Sequence, residues 1–206
     1  MSNAGYFLHK TKPESIKEAV WLEEQCLRRQ GGYDLDRTNL PSTLKWLAKG
    51  TVFKLSATGG KAVAVKTAKV VEKADSAATT LKIASGSLYK VGDKIAGKAI
   101  SAITTANGVD TLTIASLSAA IEKDTGTGGV TEGAAKGDVL SDYDKSKDTL
   151  LGFSYDTLDL RDPDSSIPVT PTLQVMEVEE DSLPYPINKD IKDGLNANGI
   201  ALFKIQ

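Results

Sequence analysis

Two hydrophobic periods divide the chain. From Leu44 to Leu140 apolar and polar residues alternate with a period of two, which turns one face of a strand inward and the other to solvent. The pattern predicts strands at VFKL (52–55), AVAVKTAKVV (62–71), TTLKIAS (79–85), DKIAGKAISAIT (93–104), DTLTIASL (110–117) and DVLS (138–141). Thr58-Gly59-Gly60 and Asn107-Gly108 supply residues that accept positive φ and predict hairpins. Before residue 44 the spacing is helical. Thr11-Lys12-Pro13-Glu14 fits a capping box with Pro in the first turn, and Ile16, Ala19, Val20, Glu23, Cys26 and Leu27 follow before Arg28-Arg29 and Gly31-Gly32. This predicts one amphipathic helix of about four turns, preceded by an extended segment holding Tyr6, Phe7 and Leu8. A lone helix of that length is marginal in water, so it must dock on its own β domain or on a partner.

After residue 141, LLGFSYDTLDL (150–160) and VTPTLQVMEVEE (169–180) predict further strands, the second with an acidic, exposed end. NKDIKDGLNANG predicts a short helix with Asn188 as N-cap and Gly199 beyond its end, and IALFKI a last strand. The expected fold is mainly β, an antiparallel β-barrel or sandwich with an N-terminal arm containing one helix and a small C-terminal α/β element. The expected division is 1–43 for the arm, 44–141 for the β-barrel or sandwich, and 142–206 for the C-terminal β-rich element with its short helix.

Composition narrows the chemistry. No apolar run among the 206 residues approaches the roughly 20 of a membrane span, and the N-terminus lacks the basic and apolar regions of a signal peptide; no membrane partner is expected. Net charge is +2 over residues 1–50, +3 over 51–140 and −7 over 141–206. The lysines of the middle section alternate with apolar residues, as solvent-facing strand positions do, and form no basic face for nucleic acid. One Cys and one His exclude a disulfide within the chain and a four-ligand Cys/His zinc site.

The candidates for catalysis are weak. His9, the sole histidine, stands in no nucleophile motif, and Cys26 reads as a small buried hydrophobe on the helix. Asp156, Asp159, Asp162 and Asp164 are dense enough for a carboxylate pair but read as a solvated acidic loop. Asp34-Leu-Asp36 and Asp162-Pro-Asp164 lack the Gly and Glu that a calcium loop needs further on. The glycines of 126–133 lack the Gly-Lys-Ser/Thr of a phosphate loop, and EKDTGTGGVTEGAAKGD (122–138) reads as a Gly-rich loop. Gly92-Asp93 in SLYKVGDKIAG (87–97) and Gly137-Asp138 in AAKGDVLS (134–141) repeat one phrase. Each reads as a turn in which Asp accepts a backbone N–H and the next strand carries Ile95 or Leu140 inward; a shared metal or catalytic pair is the lesser alternative. No catalytic, cofactor-binding or metal residue is assigned, and no enzyme activity or cofactor is expected.

The order of the phrases carries a resemblance. Gly50-Thr51, the apolar-Gly-Asp-x-Ile of Val91 to Ile95, the Gly-Asp-apolar-Leu of Gly137 to Leu140, and the late Leu-Pro-x-Pro-Ile run from Leu183 to Leu195 fall in the order found in head fiber and capsid decoration proteins of tailed bacteriophages, particularly those of gut bacteria. The chain resembles that family over about residues 44–206. The resemblance implies a non-enzymatic virion protein made in the host bacterial cytoplasm. It would sit on the outer capsid surface, bound to the major capsid protein and trimeric. On that reading Tyr6, Phe7, Leu8 and Trp21 of the arm and Leu183, Pro184 and Pro186 of the late motif are the candidate capsid or subunit interface. The alternative is a β-sandwich recognition module, either a glycan-binding domain or another phage structural adaptor.

Overall fold

The computed structural model describes residues 20–29, 32–122, 139–162 and 165–203. The fold is mainly β, with curled sheets forming half-barrels and one α-helix among the described residues. The strands are β1 (Cys26–Arg28), β2 (Tyr33–Leu35), β3 (Trp46–Leu47), β4 (Val52–Leu55), β5 (Lys61–Ala64), β6 (Thr67–Lys69), β7 (Thr80–Ala84) and β8 (Lys94–Ile95). They continue as β9 (Lys98–Ala106), β10 (Val109–Ile114), β11 (Val139–Ser141), β12 (Leu150–Phe153), β13 (Leu158–Asp159), β14 (Pro168–Val169), β15 (Thr172–Val178) and β16 (Ala201–Phe203). The helix α1 spans Lys189–Ala197.

Two parts emerge from the pairing. The base uses both ends of the described chain. Its five-stranded sheet runs β12-β4-β5-β2-β14, its three-stranded sheet β1-β15-β16, and β13 pairs with β3. Two of its pairs, β2 with β5 and β15 with β16, are parallel. The strands of the five-stranded sheet thus come from all three sequence segments set out above. Between β5 and β12 the chain leaves this base to build a second part, the order β7-β10-β9-β8, and returns through the pair β11-β6. Each part has its own apolar interior. Base clusters gather around Trp21, Val175, Ile191 and Phe153, and around Leu47, Phe53, Leu151 and Val169. The inserted module is filled by Val70, Leu81, Ile83, Tyr89, Ile95, Ile100 and Leu112.

Local chemistry explains the turns. The Asn107-Gly108 hairpin between β9 and β10 has φ of 51° and 76°, the pair of positive angles that a two-residue turn requires. Asn188 caps α1 by accepting the Ile191 N–H at 3.0 Å, and Ile191 and Leu195 point into the base. Gly194 permits that docking, because a Cβ there would lie 2.7 Å from the Tyr143 hydroxyl and 2.9 Å from Leu150 Cδ1.

Three expectations are corrected. The predicted helix does not run through residues 20–28, which form a 3-10 turn at Glu23–Gln25 and then strand β1; pairing with β15 along Cys26–Arg28 overrides the helical spacing. DKIAGKAISAIT is a hairpin of β8 and β9, turning at Ala96-Gly97 with φ of 49° and 75°. The stretch 62–71 breaks at Val65-Lys66 into β5 and β6, and Lys66, far from facing solvent, is 1% exposed. The capping box, Tyr6, Phe7, Leu8, His9, the Gly-rich stretch 123–138 with Asp138, and Asp164 lie outside the described residues.

Candidate functional site: the joint between base and module

The phrase SLYKVGD joins the two parts. Leu88 is fully buried and packs into the base cluster of Leu35, Leu47 and Phe53, whereas its neighbour Tyr89 packs into the module's interior. Adjacent residues therefore point into different cores. The Tyr89 hydroxyl donates to the Lys66 carbonyl at 3.3 Å, and burial pushes its pKa upward, with the Asp142 and Asp93 charges adding to the shift. Lys90 donates its ammonium to the Thr38 carbonyl of the base.

Asp93 does two things at once. Its carboxylate accepts the Lys90 N–H at 2.7 Å, closing the turn, and accepts the Lys66 ammonium at 2.5 Å. The Lys66 side chain is 2% exposed and that of Asp93 17%. A charge so removed from water needs its partner, since leaving one member unpaired costs several kcal/mol (roughly 3–5). On the return strand Asp142 accepts the Lys66 N–H at 2.9 Å. Burial raises the Asp142 pKa, opposed by the nearby Lys54 ammonium. Lys54 in turn donates to the Asp142 carbonyl and to Asp148, both at 2.9 Å.

The other motifs meet the same region. Gly50, at φ +85°, approaches Pro184 so closely that a Cβ would lie 3.1 Å from Pro184 Cδ and 3.2 Å from Val20. The positive φ strains any side chain here, and the space for one is tight. Leu140 pairs with Ala68 in the β11-β6 ribbon and packs on the module. A recess of about 60 Å³ lies between residues 67–69 and 84–87 of the module and Pro184, Tyr185 and Pro186. That is far below the roughly 300 Å³ where small-molecule sites begin. The geometry suits a packed joint.

No family, curated protein or solved structure matches this chain.

The remaining candidates separate. Trp21 is 7% exposed, inside the base, with its ring centroid 5.8 Å from Phe153 and 6.5 Å from Tyr155. It docks at home and offers no surface in this arrangement. Lys49, 6% exposed, lies 4.8 Å from the Trp21 ring and binds Glu23, which also accepts the Tyr155 hydroxyl. Those two hydrogen bonds, that from Lys49 foremost, hold the Glu23 carboxyl below its ordinary pKa. This cluster fastens residues 20–28 to the base. Leu183, Pro184 and Pro186 are half-buried, Leu183 against the Trp21 cluster.

Cys26 is half-buried on β1, and burial pushes its thiol up to about 11, so little reactive thiolate forms near neutrality. Asp156 and Asp159 face solvent, Asp159 paired to Arg161 at 2.6 Å. Asp36 accepts from Thr38, and Asp34 from Ser166 at 2.7 Å. Among the described residues no cluster of three or more His, Cys, Asp or Glu is placed to hold a metal ion, and no helix is long and apolar enough to cross a membrane. Sequence reading found Asp93 and missed Lys66, Leu88 and Asp142. The only available signal for Lys66 was its place inside an apolar run.

Proposed function

We propose that the chain is a non-enzymatic virion protein, a head fiber or capsid decoration protein on the outer surface of a phage head. Attachment is to the major capsid protein, through either the N-terminal arm or the β domain. Trimeric association belongs to this reading, as the resemblance implies. What supports it is the part played by the ordered motifs. Gly50 packs on Pro184, Val91 to Ile95 carries Asp93, the partner of buried Lys66, and the Gly137 to Leu140 motif ends in the neck strand β11. Phrases that recur in order serve here as turns and packing contacts, a mechanical role that needs no catalytic side chain.

A glycan-binding module is the less favoured reading. Sugar platforms need exposed rings, and the two aromatic residues between 51 and 122, Phe53 and Tyr89, are 0% and 4% exposed.

The test is cosedimentation of the purified chain with capsids lacking it, together with its mass in solution. Saturable binding by an oligomer supports the proposal; a monomer that never sediments with capsids overturns it. Removal of residues 1–19 then asks whether the arm is the anchor. A longer deletion is uninformative, because Val20 and Trp21 lie in the base interior and β1 and β2 belong to its sheets.

A further inference from the structure

We infer that segment 87–93 is a lock that holds the inserted module in one orientation on the base, and that opening it frees the module to pivot while both cores stay folded. The inference does not depend on the virion reading. Its first support is the neck. Chain enters and leaves the module through β6 and β11, a ribbon with three register pairs among the described residues, Val139 with Lys69, Leu140 with Ala68 and Ser141 with Thr67. A two-stranded ribbon is marginal by itself and twists readily. It cannot fix an orientation unaided.

The second support is how sharply the interiors divide. Every buried member of the module's cluster lies between Ala68 and Ile121, and the base clusters take one residue from that span, Leu88. Leu88 is therefore an apolar plug from one body seated in the other. Beside it, Lys66 at the root of the neck is held to Asp93 at 2.5 Å, and Lys90 reaches the Thr38 carbonyl. An apolar contact has no directional preference, whereas a buried, hydrogen-bonded ion pair has a narrow one. Leu88 supplies attachment and Lys66–Asp93 supplies angle.

The experiment uses the full chain, with residual dipolar couplings for orientation and amide hydrogen exchange for local opening. The double variant Lys66→Met/Asp93→Asn removes both charges together, leaves no orphaned ion and keeps an acceptor for the Lys90 N–H. Leu88→Ala trims the plug by a separate route. In the unaltered protein, couplings from β4–β5 and from β7–β10 fit one alignment tensor. In the double variant they require two, and exchange at residues 87–93 rises at least tenfold while β4 and β10 amides stay within about twofold. Two tensors with both cores protected, in either variant, is the expected result. The inference is overturned if every folded variant keeps one tensor, or if both variants lose β4 and β10 protection together.

Discussion

The base and the inserted module are built on opposite plans. The base buries Trp21, Phe53 and Phe153, with Tyr33, Tyr143, Tyr155 and Tyr185 at the margins of its clusters. The module's interior has Tyr89 as its one aromatic among Ala, Val, Leu and Ile. Pairing differs in the same sense. The module's sheet closes through the β8-β9 and β9-β10 hairpins and the β10-β7 pair, whereas the base joins β1 to β15 and β4 to β12. Closing a long loop costs more entropy than closing a short one. Local pairing suffices for a module filled with small branched side chains. The base brings distant strands together around large rings that bury more surface per residue.

That contrast can be broken from either side. The largest effect is expected for Gly152→Ala in β12, where φ is +124° and a Cβ would lie 2.4 Å from the Thr172 carbonyl oxygen. A loss of about 4 kcal/mol or more should follow in denaturant titration. Amides of β4 should lose protection from exchange before those of β10; simultaneous loss would make base and module one folding unit. Leu112→Ala, at a fully buried site of the module, inverts the test. It should cost roughly 2–5 kcal/mol, with module amides opening first and the Trp21 fluorescence of the base unchanged.

A smaller change sharpens the picture within the base. Asn188→Ala removes the side chain that accepts the Ile191 N–H and should cost about 1 kcal/mol, read as a lowered melting temperature with the α1 amides exchanging faster. The smallest effect is set by pH. Glu23 is held below its ordinary pKa by Lys49 and Tyr155. The stability it adds is therefore present above the unfolded-state value and is lost as pH falls through the folded one. Acid titration should shift Trp21 emission below the usual glutamate range, and Glu23→Gln should abolish that shift. Persistence of the shift in the variant would assign it to another group.

Much of the chain was legible in both parts wherever its determinants are local. Val52–Leu55 is the strand VFKL residue for residue, and β7, β10 and β11 lie within their predicted stretches to within a residue. Asn188 and Asn107-Gly108 act where turn and cap chemistry put them. Ala96 turns at positive φ beside Gly97, and a lone Gly inside an alternating run left the β8-β9 hairpin hidden. Residues 20–27 failed for a different reason. Their spacing fits a helix, yet strand β15, about 150 residues later, pairs along Cys26–Arg28. Leu27, expected on the helical stripe, is 56% exposed as a result.

The joint lies at the limit of what local reading reaches. SLYKVGD announces a turn, and the turn is there, with Asp93 accepting the Lys90 N–H. Its second duty depends on Lys66, 27 residues earlier, in a stretch whose alternation marks every lysine alike. The sequence by itself determined the β-rich class, the hairpins at Gly59-Gly60 and Asn107-Gly108, the cap of α1 and the turn at Gly92-Asp93, because neighbours along the chain set those. Only the tertiary structure decided that the chain leaves the base at Lys66 and returns at Asp142, that Leu88 and Tyr89 serve different cores, and that one lysine of the middle section is buried. Those outcomes rest on desolvation and long-range pairing, whose free energy exists only once distant residues share one interior.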